Sequence, residues 1–381
     1  MNTIRIQPSV FQWLCKSSGW TPTEIAENLS RPVELVNSWY NGDSVPHVSI
    51  SELNVLSEGF KRPLTAFLLS NPPKDECIPE DFRKIVGLHN NFSKETFQMI
   101  RRARRTLRLW KELSDSIGES TEVSLPLYHI DQNPEEIAEK ERERLNIFHP
   151  LPWKDEYMAY RFYREIFFQL RILVLQLNMP VEEARGFSIV EDGCAAIVVN
   201  GKDSVRARIF TILHEYAHIL LNEHAVCNDE SDGSTDLHAV SVEHWCNMFA
   251  GAFLLPKAEL ERNNTICEHI AEHQYEKAVD KMASYFKVSR DAALIRLRAL
   301  NIISESELLE IRSQMLSHVT SPKEKSFKPM SKEEICLREN GEQFVSLVLK
   351  CENMGQITYY DALDYLDVKS FDFLKSRVSQ T

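Results

Sequence analysis

Phe210-Thr211-Ile212-Leu213-His214-Glu215-Tyr216-Ala217-His218-Ile219-Leu220-Leu221 is the most informative stretch of the chain. No Gly or Pro interrupts residues Val205 to Glu223, and the apolar spacing predicts a helix. Four residues advance about 400° around a helix, so His214 and His218 share one face, one turn apart. Two imidazoles stacked in that way can bind one Zn²⁺ from the same side. Glu215 is rotated by a single residue from His214. It can reach a water held at the metal while staying outside the coordination shell.

A zinc site needs a third protein ligand, and the next helical stretch supplies a candidate. Residues Val242 to Leu255 read as a helix that Pro256 stops, with Val242, Trp245, Phe249, Phe253 and Leu254 forming an apolar stripe. Glu243 lies near its start, beside the stripe, where a carboxylate is costly to bury unless paired or on a metal. His214, His218 and Glu243 together leave a fourth position open, the arrangement of a catalytic site and not of a closed structural one.

These residues carry a resemblance. Phe210 to His218, followed by Glu243-His244-Trp245-Cys246-Asn247-Met248-Phe249-Ala250 and Leu254-Leu255-Pro256, resembles the ImmA/IrrE family of zinc metallopeptidases, whose core is similar to zincins with a glutamate third ligand. The resemblance implies that His214 and His218 are the zinc histidines, Glu243 the third ligand and Glu215 the catalytic glutamate. It departs at Tyr216-Ala217, where the family usually has Leu-Gly; Ala217 still permits close packing. It further implies a zincin-like core with a small β-sheet, hydrolysis of a peptide bond, and a regulatory protein as substrate, either a repressor or an antitoxin-like partner.

Composition is compatible with this. The chain has 381 residues, enough for two or three domains. A hydrophobic content of 43% and a charged content of 26% describe an ordinary globular protein. No apolar run approaches a membrane span and no signal-peptide pattern opens the chain, so a cytoplasmic location without membrane contact is expected. The eight cysteines include no C-x-x-C pair, which suits a reducing compartment and excludes a thiolate zinc site. The formal charge of −12 argues against a chain devoted to nucleic acid.

Around the central stretch the expected fold class is α+β, mainly α, with the zincin-like core flanked by helical helix-turn-helix-like domains. Residues 1–75 read as short helices. Thr21-Pro22-Thr23-Glu24 is a capping box, a second helix starts at Pro32 and stops at Asn41-Gly42, and Ser49 to Gly59 and Pro63 to Leu69 add two more. With Trp39 and Gly42, this part resembles the Xre/Cro-type repressor domain, which often precedes such peptidases. Its recognition helix lacks Lys and Arg. Arg5, Lys16, Arg31, Lys61 and Arg62 are outweighed by Glu24, Glu27, Glu34, Asp43, Glu52 and Glu58. Only weak DNA binding is expected, and protein contacts or homodimerisation are the preferred role.

Residues 76–124 read as a linker and a basic helix. The linker, Pro72-Pro73 to Pro79, leads into Asp81-Phe82-Arg83, a signature also seen in long members of the family. Ser93 to Leu113 carries Arg101, Arg102, Arg104, Arg105, Arg108 and Lys111, a patch read as solvated, or paired with the acidic remainder, at least as readily as phosphate-binding. The peptidase region is placed at 125–262. Pro134 to Leu145 and Asp155 to Leu170 are charged amphipathic helices. Residues 171–177, 185–190 and 195–200 are strands, the last two joined by an Asp192-Gly193 hairpin. The edge of such a sheet can receive an extended peptide. Asn228 to Leu237 reads as a loop at the mouth of the site, and His224, His238 and His244 as solvated surface histidines. Residues 263–319 form a second helix-turn-helix-like unit with Arg290, Arg296 and Arg298 on its second helix. Residues 320–331 are a linker and 332–381 a helical segment. A rival reading makes the chain a transcriptional regulator or antitoxin of a toxin–antitoxin-like system, with a toxin partner and the peptidase fold as a scaffold.

Overall fold

The structure is a computed structural model that describes residues 3–73, 92–148, 150, 151, 153–222, 235–317 and 330–378. The chain divides after Arg104 into two compact units. The expected linker with Asp81-Phe82-Arg83, most of the loop from Asn228, His224 and most of the linker 320–331 lie outside the described residues.

In the first unit, β1 (Thr3–Arg5) pairs antiparallel with β2 (His47–Ser49), Ile4 opposite Val48. Between them come α1 (Pro8–Ser18), α2 (Pro22–Leu29) and α3 (Val33–Asn41). After β2 follow α4 (Ile50–Phe60) and a 3₁₀ turn at Leu64–Leu68, where the sequence predicted a further helix. The helix ends obey their capping signals. Thr21 and Ser49 accept from the backbone N–H groups of Glu24 and Glu52, whose carboxylates return the bond, and Gly42 stops α3 at φ +83°. Phe11, Leu14, Ile25, Val36, Trp39, Leu56 and Phe60 fill the core. The two-stranded ladder was not legible in the sequence, because three residues are too few to display an alternation.

The basic helix is α5 (Lys94–Ser116), whose first half belongs to the first unit. There Arg101 donates to the carbonyls of Ser17 and Phe60 and to the Ser18 hydroxyl. Its second half belongs to the second unit, where Arg105 pairs with Asp364 at 2.6 Å, Arg108 lies 3.8 Å from Glu191, and Lys111 donates to the Asp192 carbonyl. The patch is thus spent in good part on internal pairing. Arg31, just before α3, pairs with Glu52 at 2.7 Å and holds its carboxyl down at about 2.

The second unit continues with α6 (Pro134–Arg144), α7 (Glu156–Gln169) and the strands β3 (Ile172–Leu177), β4 (Gly186–Glu191) and β5 (Cys194–Asn200). The sheet order is β3-β5-β4, with β5 parallel to β3 and antiparallel to β4. Asp192 at φ +50° and Gly193 at φ +78° make the two-residue hairpin. Every residue of β5 is buried, as its central place requires. Next come α8 (Val205–Leu221) and α9 (Thr235–Leu254), then α10 (Lys257–Arg262), α11 (Asn264–Ala271), α12 (Tyr275–Phe286), α13 (Arg290–Ala299) and α14 (Glu305–Ser317). The chain closes with α15 (Lys332–Asn340), α16 (Glu342–Asn353), α17 (Tyr359–Leu366) and α18 (Asp372–Val378). The described residues are mostly helical with small sheets, an α+β fold that is mainly α, and none of their helices is long and apolar enough to cross a membrane.

The expected loop before the second ligand helix needs correction. The helix expected from Val242 starts at Thr235, so the last three residues of the expected loop, 235–237, are helical. Thr and Asp favour helix starts as well as turns, and composition alone does not separate the two. Helix α6, expected as a charged amphipathic helix, carries two of its charges on the buried side. Glu141 is fully buried and Arg142 nearly so. Arg142 donates to the carbonyls of Phe253 and Ile147. Glu141 accepts from Tyr128, from Arg144 and, at 2.5 Å, from Tyr216 of α8. Arg144 also donates to the Tyr216 hydroxyl at 2.6 Å. Burial and the Glu141 carboxylate push the Tyr128 phenol up to about 12.

The second helix-turn-helix-like pair, α12 and α13, shares the core of α8 and α9 through Val279, Met282, Phe286, Leu294 and Leu297. Arg296 is buried, donating to the Leu255 carbonyl and to both oxygens of Glu135, and Arg298 pairs with Glu305. The basic character of α13 therefore serves packing. Because Glu141 is fully buried and holds three partners, Glu141→Ala should lower stability by about 3–5 kcal/mol, whereas Glu139→Ala, exposed on the same helix, should change it by less than about 0.5 kcal/mol. Urea unfolding followed by circular dichroism checks the contrast.

Candidate metal centre

Helix α8 is started by Ser204, whose hydroxyl accepts from the Ala207 N–H, and stopped by Asn222 in the left-handed conformation. Ile209, Ile212, Leu213, Tyr216, Ala217 and Leu220 face the core. Tyr216, tied to Glu141 and Arg144, fixes the rotation of the helix about its axis. Phe210, His214 and His218 then fall on one stripe. From α9, Trp245, Phe249 and Phe253 enter the same core, Trp245 and Phe249 stacked with centroids 5.5 Å apart. The Trp245 indole donates to the Gln132 carbonyl. These contacts set the second helix so that Glu243 meets the two histidines.

The Nε2 atoms of His214 and His218 lie 3.2 Å apart. Glu243 places Oε2 at 3.3 Å from His214 Nε2 and Oε1 at 3.2 Å from His218 Nε2. These three residues are a group that could hold a metal ion. Donors held about 2.0–2.1 Å from a tetrahedral ion stand about 3.3 Å from one another, so the spacing fits without rearrangement. The electrostatics agree. Two imidazole lone pairs cannot face each other at this distance unless a proton or a metal cation lies between them. Burial opposes charge on His218, but the contacts with Cys246 and Glu243 and the charge of Glu215 outweigh it and raise its pKa well above the ordinary value. Burial would raise the Glu243 carboxyl, yet the hydrogen bonds from His214 and His218 hold it well below the usual range. The pocket is built for positive charge at its centre.

Glu215, the remaining polar member of the motif, is 6% exposed and does not join the ligand cluster. One of its oxygens approaches Gly186, at the start of the edge strand β4: a Cβ built there would stand 3.6 Å from Glu215 Oε1. His244 is exposed, as expected of a surface histidine, and the His238 side chain lies outside the described residues.

One neighbour escaped the sequence reading. Cys246, fully buried, interacts electrostatically with the His218 ring. Its spacing was the only signal available, since it stands three residues after Glu243 and so on the same side of α9. On the other histidine, Nδ1 of His214 is buried without a hydrogen-bond partner among the described residues, and the ring stacks on Phe210 with centroids 6.4 Å apart.

Residues 169–298 match the family model of the IrrE N-terminal-like domain, Peptidase_M78. Among solved structures, a Mycobacterium tuberculosis transcriptional regulator is similar at 22% identity, with a TM-score of 0.26, over 44% of this chain and 52% of that one. The chain thus spans about half the length of that regulator. No curated protein matches the chain.

Gly186 gives a direct test of how tightly β4 lies on α8. A Cβ there would stand 2.3 Å from Thr211 Cγ2 and 2.6 Å from the Val198 carbonyl oxygen. Gly186→Ala should therefore cost about 1–3 kcal/mol in thermal unfolding. Gly251→Ala, in α9 with nothing within 4 Å of the added methyl, should instead be neutral or stabilising by up to about 1 kcal/mol.

Proposed function

Residues 169–298 are an IrrE N-terminal-like domain of the Peptidase_M78 family, and from that premise we propose that the chain is a zinc metallopeptidase that hydrolyses a peptide bond in a regulatory protein. The observation that carries the reading is the convergence of two imidazole nitrogens and a carboxylate at 3.2–3.3 Å around one point. His214, His218 and Glu243 would hold the ion and leave a position open toward substrate. Zinc bound there would polarise the scissile carbonyl and lower the pKa of a water. Glu215, buried beside the ligands but outside their cluster, takes the proton of the attacking water and returns it to the leaving amine. The neighbouring apolar core limits competing water and strengthens each of these charges.

The substrate class follows from the resemblance and from charge. The described cations beside α3, along α5 and on α13 are largely committed to carboxylates and carbonyls of the same chain, which leaves little to neutralise phosphates. The helical first unit is accordingly read as a surface for a repressor or antitoxin-like protein, met in the cytoplasm, and not as a DNA reader.

Two variants test the assignment. Purified wild type should carry about one zinc per chain, and Glu243→Ala should lose most of it. Elemental analysis checks this, and a zinc-replete variant would remove Glu243 from the ligand set. Glu215→Gln keeps size and hydrogen bonding but cannot accept the proton. It should fold, hold zinc like wild type and lose about 10²–10⁴-fold in cleavage rate. New protein N-termini generated in a cell extract by wild type, and not by Glu215→Gln, provide the readout. Equal cleavage by both with zinc intact would overturn peptide hydrolysis at this site.

A further inference from the structure

We propose that the second unit carries a small anion-binding pocket apart from the metal centre, and that its ligand is a carboxylate or phosphate on a flat apolar body. Leu151 and Trp153, from the segment before α7, and Lys281, Ser284, Tyr285 and Lys287, from the end of α12, line a cavity of about 250 Å³. None of these residues belongs to the cluster of His214, His218 and Glu243. Lys281, Ser284 and Tyr285 share one side of α12 through their spacing of three and four residues. Lys287 follows where the helix stops, in the left-handed conformation at φ +58°. The turn out of α12 thus brings a second ammonium group to the cavity that the helix face already supplies with one.

Two like charges at one cavity repel unless an opposite charge joins them. Neither Lys281 nor Lys287 has a carboxylate partner among the described residues, in a chain whose net charge is −12. Neighbouring carboxylates are taken by arginines. Asp280 pairs with Arg290 at 2.6 Å, and Glu156 lies 3.7 Å from Arg206, which also donates to the Val288 carbonyl. Glu259, whose charge reaches Tyr285, pairs with Arg262 at 2.7 Å. The lysines are left for a ligand, and an ammonium is a point charge suited to a carboxylate or phosphate. The apolar part of the ligand meets a wall that is already fixed. The Trp153 ring is braced by Phe162 and Tyr163, with centroids 5.3 and 5.4 Å away, and Tyr285 by Phe286 at 4.8 Å. A few polar groups set against aromatic walls are the usual make-up of a small-ligand site. The cavity holds the volume of about eight waters at ~30 Å³ each, which limits the ligand to about the size of one aromatic acid.

The test titrates the full-length protein with phenyl phosphate, with benzoate and with the neutral benzyl alcohol, followed by ligand-observed NMR. Wild type is compared with the double variants Lys281→Gln/Lys287→Gln, which removes both charges, and Lys281→Arg/Lys287→Arg, which keeps them. Thermal unfolding confirms that both variants fold. Phenyl phosphate and benzoate should bind wild type saturably, and benzyl alcohol should not. The glutamine variant should bind at least about tenfold more weakly for the loss of charge-assisted hydrogen bonds, and the arginine variant should retain most of the affinity. Equal binding of the anions by the glutamine variant would overturn the proposal, as would equal binding of benzyl alcohol by wild type. So would the lack of saturable binding of either anion up to about 10 mM, a range that covers weak small-ligand sites.

Discussion

Two imidazole nitrogens held 3.2 Å apart cannot both present lone pairs to each other, and the surrounding fold is arranged around that constraint. A shared proton or a metal ion relieves it, and Glu243 faces both rings with separate oxygens. Such a cluster is stable only if α8 and α9 cannot rotate or slide. Core packing by Phe249, Phe253, Leu213 and Leu220 supplies most of that rigidity. The remainder comes from polar groups placed where slippage would be expensive. The Tyr216 hydroxyl is locked between Glu141 and Arg144, and the Trp245 indole is anchored on the Gln132 carbonyl. The segment from Tyr128 to Ile147 therefore acts as a strap over both ligand-bearing helices. Its backbone reaches α8 directly through the Tyr128 N–H and the Leu220 carbonyl.

The same economy governs the basic residues. A net charge of −12 leaves the cations in the minority, and several of those described are drawn inward. Arg142 donates to the Phe253 carbonyl of α9 and to the Ile147 carbonyl, Arg296 joins Glu135 to the end of the same helix, and Arg101 gathers two carbonyls and a hydroxyl. Each such guanidinium satisfies backbone acceptors that would otherwise be stranded at helix ends or turns. A sequence rich in arginine at helical spacing is therefore compatible with a purely structural use, and α5 and α13 are both instances.

The ligand-bearing part of the fold was the more legible in the sequence. An uninterrupted helix with histidines four apart leaves little freedom in where the two rings point, and the Asp192-Gly193 signal fixed a hairpin whose two residues do adopt positive φ. Glu243 stood out because a carboxylate bordering an apolar stripe demands a partner. What remained hidden has a common cause. The Glu141 network, the burial of Arg296 and the contact of Cys246 with His218 all depend on which helix lies opposite, and single-sequence periodicity reports only which face is apolar. Charged residues look alike whether solvated or buried in pairs. Three-residue strands such as β1 and β2 are below the length at which alternation can be counted.

Tyr216 connects the two halves of this account. A leucine at this position, as in the family pattern that the motif resembles, would fill the same apolar space without reaching beyond it. The tyrosine ring packs on Phe167 and Phe249, so the hydrophobic role is kept. The added hydroxyl must then be satisfied in a fully buried place, and a hydroxyl without a partner there would cost more than the ring's extra area returns. The chain answers with Glu141, the carboxylate is answered with Arg144 and Tyr128, and a second element thereby supports the helix that carries the candidate metal site. These contacts lie on the side of α8 that faces the strap, away from the cluster of His214, His218 and Glu243.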